Sequence, residues 1–125
     1  MKIKQDDLGN IVVWRWIGRH DYSRETVQQT ASARERMQSK LPASKPILVD
    51  LTRLRYSYTD SLSDAFNNAY FLQRRGRPVA ILLSPKKPQM RDTFRLMQNE
   101  IIMKVFEDKE QALAYLRSSD SSTSG

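Results

Sequence analysis

The chain has 125 residues, a net charge of +7 and no cysteine. That length suits one domain, and a hydrophobic share of 39% supplies one core rather than two. Without cysteine, disulfides, thiolate zinc sites and cysteine nucleophiles are excluded.

The longest unbroken apolar run, Val79 to Leu83, is far too short to span a membrane. Met1 to Asn10 lacks the apolar stretch of a signal peptide, so a cytoplasmic protein is expected. The positive charge is spread evenly. Residues 1–62 carry eleven basic against seven acidic side chains, and residues 63–125 carry ten against seven. A nucleic-acid module concentrates its charge on one element, so nucleic acid is not the expected partner.

Met1 to Gln5 alternates as a short strand, and Asp7-Leu8-Gly9-Asn10 is a turn. Ile11 to Ile17, rich in β-branched and aromatic residues, predicts a second strand paired with the first and ended by Gly18. A helix follows from about Arg24 to Lys40, its sparse stripe built on Val27, Ala31, Ala33, Met37 and Leu41. Pro42 to Pro46 is a linker. Ile47 to Leu51 lacks polar alternation and predicts a central strand buried on both faces. After a loop, Leu62, Ala65, Phe66 and Ala69 set the stripe of a second helix, about Ser61 to Arg75, capped by Gly76. Val79 to Leu83 repeats the two-sided apolar pattern. A third helix is expected over about Gln89 to Asn99, a short edge strand over Ile101 to Phe106, and a last helix over Lys109 to Arg117. Residues 118–125 contain nothing that can pack, so a domain over 1–117 and a disordered tail over 118–125 are expected. This order gives an α/β sandwich, a mainly parallel sheet of about five strands with four helices, and leaves open which faces the helices cover.

The chemistry-bearing residues are few. Thr59-Asp60-Ser61 opens the second helix, where unpaired N–H groups and a partial positive charge favour acceptors and anions. The plain reading is an N-cap, with Ser61-x-x-Asp64 matching a capping box. The functional reading adds partner docking or a phosphorylation switch through Thr59, Asp60, Ser61 and Asp64. His20, the one histidine, reads as a loop residue. No ligand set for a metal, no cofactor motif and no nucleophile elbow accompany it, so a non-enzymatic protein is expected. Trp14 and Trp16 share one face of their strand, and pack either in the core under a helix or at an apolar ligand site or interface. Arg74, Arg75 and Arg77, with Lys86 and Lys87, are basic clusters, either solvated or anion-binding.

The chain resembles the STAS family of sulphate transporters and anti-sigma factor antagonists over about Gly9 to Leu116. A central strand ends in Asp50-Leu51-Thr52, similar to the family's D-L-S triplet. Tyr58-Thr59-Asp60-Ser61-Leu62 resembles its D-S-S-G-L segment. Gln73 to Leu83 resembles its basic helix end and apolar strand. Phe106 to Leu116 resembles its F-x-x-x-E-x-A-L-x-x-L ending. The resemblance implies a regulatory module whose partner is an anti-sigma factor or a kinase-like protein, with a homodimer as a further candidate assembly. It also implies that Asp60 stands where the family's phosphate-accepting serine is, and Ser61 where its glycine is. An aspartate there is a weak, fixed copy of the phosphorylated state, with about one negative charge rather than nearly two. A related group of SpoIIAA-like domains, similar over the C-terminal half, implies instead a small apolar or lipid-like ligand lined by the Trp pair.

Overall fold

The computed structural model describes residues 1–56, 59–97 and 103–124, the last six as backbone only. In chain order these form β1 (Lys2–Asp7), β2 (Val12–His20), α1 (Arg24–Lys40), β3 (Ile47–Asp50), β4 (Leu54–Tyr56), α2 (Thr59–Arg74), β5 (Val79–Leu82), α3 (Pro88–Met97), β6 (Lys104–Phe106) and α4 (Lys109–Ser124). The sheet runs β1-β2-β3-β5-β6, with β4 branching off β2. β1 is antiparallel to β2 and every other pairing is parallel.

The two all-apolar segments lie side by side at the centre as expected, in register from Ile47 opposite Val79 to Asp50 opposite Leu82. Every residue of both strands is buried. Strand alternation then divides the core in two. Val12, Trp14, Trp16, Ile47, Val49, Val79 and Ile81 face α1, α2 and α3, and meet Met37, Phe66, Leu72 and Phe94 there. Val13, Leu48, Ala80 and Leu82 face α4 and meet Ala112, Leu113 and Leu116. Three helices on one face and one on the other is the arrangement that the sequence left open. Each fully buried Leu, Ile or Phe in these layers contributes about 1.5–3 kcal/mol of transfer free energy.

Four differences from the sequence reading have physical causes. First, Gly18 does not end β2. Its φ of +96 redirects the strand, which continues to His20. Val12 to Arg15 pairs with β3, and Gly18 to His20 pairs with β4, so β2 is forked. Second, β4 adds a sixth strand within the expected loop. Three residues, one of them Arg55, are too few to show a period. Third, the stripe of α1 is half polar: Thr26, Thr30, Ala33 and Met37 are its buried residues, not Val27. Fourth, the helical backbone of α4 continues past Arg117 to Ser124. Gly76 does cap α2, with φ +92 and its N–H donating to the Gln73 carbonyl at 2.9 Å. The expected helix end at Asn99 and strand start at Ile101 lie outside the described residues, as does Tyr58.

Candidate functional site

Because β2, β3, β4 and β5 are parallel and α1, α2 and α3 follow them, the three helices begin at one end of the sheet, beyond the strands' C-terminal ends. Open α/β sheets bind ligands and partners at this end. α2 begins at Thr59, and Thr59 and Asp60 are exposed in its first turn. The Asp60 carboxylate sits favourably against the positive helix end.

Ser61 departs from the expectation of exposure. It is fully buried, and its Oγ–H donates to the His20 carbonyl at 2.9 Å. Asp64, one turn on, is not the second half of a capping box. Its carboxylate turns inward, where Oδ2 lies 2.8 Å from His20 Nε2 and 2.8 Å from Thr30 Oγ1. Asn68 Nδ2 donates to the Asp64 carbonyl at 2.8 Å, and Arg34 Nη1 donates to Asn68 Oδ1 at 3.1 Å. His20, Thr30, Ser61 and Asn68 are all buried. This polar lock ties β2, α1 and α2 together. Residues from three elements meet in it, 34 to 44 positions apart in sequence, and such spacing leaves no local motif.

His20 is therefore a strand-end residue in the core, not the loop residue expected. Its Nδ1 accepts the Tyr22 N–H at 3.1 Å, so the ring proton sits on Nε2 and points at Asp64. Both ring nitrogens are engaged, and the Ser61 hydroxyl bonds the His20 backbone rather than its ring. The histidine, carboxylate and serine gathered here thus do not form a nucleophile-and-base pair. Among the described residues no group of three or more His, Cys, Asp or Glu side chains is placed to hold a metal.

Tyr22 is the site residue that the sequence did not reveal. It has φ +56, the left-handed region, which a bulky side chain enters at a cost of about 1–2 kcal/mol. The residue is 47% exposed, and its ring stacks near His20, with centroids 6.2 Å apart. Tyr22 and the first turn of α2 are thus both attached to His20. The tight turn also shapes Asp21, whose Oδ1 accepts the Ser23 N–H at 3.0 Å and the Thr26 hydroxyl at 2.8 Å. The bond from the Ser23 N–H, and then those from the Ser23 and Thr26 side chains, pull its pKa down to about 2.

The other candidates separate. Trp14 and Trp16 are 1% and 0% exposed and pack edge to face at 5.2 Å, which is the helix-covered core alternative. Arg74 and Arg75 are exposed at the end of α2, and the Arg75 guanidinium stands 5.2 Å from the Phe71 ring. Arg77 is not beside them on the surface. It is buried, its Nη1–H donates to the Lys45 carbonyl at 2.8 Å, and burial lowers its pKa. Asp50 and Thr52 brace the end of β3, with the Thr52 hydroxyl and N–H both donating to Asp50 Oδ1.

No family model matches the sequence, and no curated protein is similar to it. The fold, by contrast, is that of known structures. An anti-sigma factor antagonist from Mycobacterium paratuberculosis superposes with a TM-score of 0.70 at 14% identity, over 93% of each chain. The phosphorylated form of SpoIIAA, a Bacillus cell fate determinant, gives 0.62 at 18% identity, over 93% of this chain and all of that one. A Shewanella loihica protein of the DUF3478 family, with a SpoIIAA-like fold, gives 0.55 at 18% identity over 92% of each. The chain has the SpoIIAA-like fold of anti-sigma factor antagonists, and no described helix is long and apolar enough to cross a membrane.

Proposed function

We propose that this domain is a non-enzymatic regulatory module that docks a protein partner through the first turn of α2. The observation that carries the reading is the pairing of exposed Asp60 with exposed, strained Tyr22 on a shared His20 anchor. Backbone strain of this kind clusters at binding sites, and here it holds a half-exposed aromatic at the surface. Tyrosine is also an effective interface anchor, offering large area with few rotatable bonds. The polar lock behind them makes the surface preorganised, which lowers the entropy lost on docking. The likeness of fold to anti-sigma factor antagonists supports an anti-sigma factor or kinase-like protein as the partner.

The alternative, a SpoIIAA-like domain holding an apolar ligand between the tryptophans, finds less support. Both indoles are already filled-in core. In the docking reading Asp60 supplies a permanent charge, and Thr59 is the exposed hydroxyl of the first turn, Ser61 being buried. The test is to compare the proteins retained from the native cell by the wild type and by Asp60→Lys, using quantitative mass spectrometry. A stoichiometric protein held by the wild type and lost by the variant is expected, with the melting temperature nearly unchanged. Equal retention would remove docking from this site.

A further inference from the structure

A second feature of the same end of the sheet is lined by neither Asp60 nor Tyr22. Between β4 and the start of α3 is an open cleft of about 570 Å³, within the size range of small-molecule sites. Its cationic lining is Arg19, Arg55, Lys86 and Lys87, and its accessible apolar lining is Tyr56 and Pro88. Among the described residues no acidic side chain lines it. Arg19 and Arg55 are register partners across the β2–β4 pair, so two like charges are held next to each other on adjacent strands.

The charges of Arg55, Lys86 and Lys87 are not neutralised by acidic side chains among the described residues. The Lys87 ammonium is fixed instead by two neutral acceptors, the Leu54 carbonyl at 2.8 Å and the Thr52 carbonyl at 3.3 Å. The first turn of α3 carries no acidic side chain, so the positive helix end adds to the field. Lys87 also occupies two carbonyls at the margin of β4, which obstructs an extended peptide from pairing there. What remains is a cleft with a cationic rim and an apolar wall.

We propose that this cleft binds a small molecule bearing a phosphate group on a flat apolar body. The phosphate would be met by Arg55 and Lys86 with Lys87 as a pre-positioned third charge, and the apolar body would rest against Tyr56 and Pro88. Bidentate guanidinium contact favours phosphate oxygens over halide. The site needs no protein partner, so it stands or falls independently of the docking surface.

The probes are phenyl phosphate and inorganic phosphate, titrated at matched ionic strength into the isotope-labelled protein while backbone amides are followed by NMR. Shifts should concentrate at Arg55, Tyr56, Gln89 and Met90, and phenyl phosphate should bind about tenfold tighter than inorganic phosphate, or about 1.4 kcal/mol. The double substitution Arg55→Glu with Lys86→Glu should abolish the saturable shifts while leaving amides elsewhere in place. If that variant does not fold, Lys86→Ala, in an exposed loop, should still weaken phenyl phosphate binding. Shifts no larger than those from chloride, or charge-reversed protein that titrates like the wild type, would overturn the proposal. Equal affinity for the two probes would overturn the apolar half of it.

Discussion

Asp21 shows how one side chain makes stability depend on pH. Its carboxylate is depressed from 3.8 to about 2 in the folded chain, chiefly by the Ser23 N–H. The depressed value means that its contribution is present above 3.8 and disappears as pH falls toward 2. Asp21→Asn should therefore lower the melting temperature near neutrality and flatten the acid limb, so that the variant and the wild type converge as pH falls through that window. Tyr22 carries the opposite trade. Tyr22→Gly removes the left-handed strain, so stability should rise or hold within about 1 kcal/mol in urea denaturation, while partner retention falls. Ser61, with its hydroxyl spent on the His20 carbonyl, should remain unphosphorylated when the native protein is incubated with cell extract and ATP. Phosphate found there by mass spectrometry would show that the first turn of α2 opens. At this scale the sequence was only half readable. Thr59 and Asp60 are where a local helix-start pattern places them. Ser61, Asp64, His20 and Tyr22 acquire their roles from contacts across three elements, and a tyrosine gives no warning of positive φ.

Elements were more legible than residues, because periodicity is local. β3 and β5 declared themselves through unbroken apolar runs, and α2 through the Leu62, Ala65, Phe66 and Ala69 stripe. β4 was hidden by its length and by Arg55, whose charge belongs to a cleft rather than to a strand pattern. The polar stripe of α1 was hidden because Thr30 is buried for its hydroxyl, not for its methyl. That distinction is testable. Thr30→Val keeps the shape and removes the hydrogen bond to Asp64, and should cost about 1–3 kcal/mol in denaturant unfolding. Phe66→Ala, which empties volume between α2 and the Phe94 ring 5.7 Å away, should cost about 3–5 kcal/mol.

For the whole molecule, Leu116 is the last buried residue among those whose side chains are described. Truncation after Ser118 should thus leave the melting temperature where it is, and a clear drop would show that the remaining residues belong to the packed domain. The fork in β2 has a further consequence, in the rates at which backbone amides trade hydrogen for deuterium. Val13 and Trp14 lie between β1 and β3 with both faces covered, so their amides should exchange only when the entire molecule opens. The branch at Gly18 to His20 is held by three residues of β4 and, at His20, by Ser61 and Asp64 of α2. It can come apart while the central strands stay closed, and its amides should exchange sooner. A partner seated on Tyr22 and Asp60 would then register as slower exchange in the branch and no change in the trunk, a signature that separates docking at this end from general stabilisation.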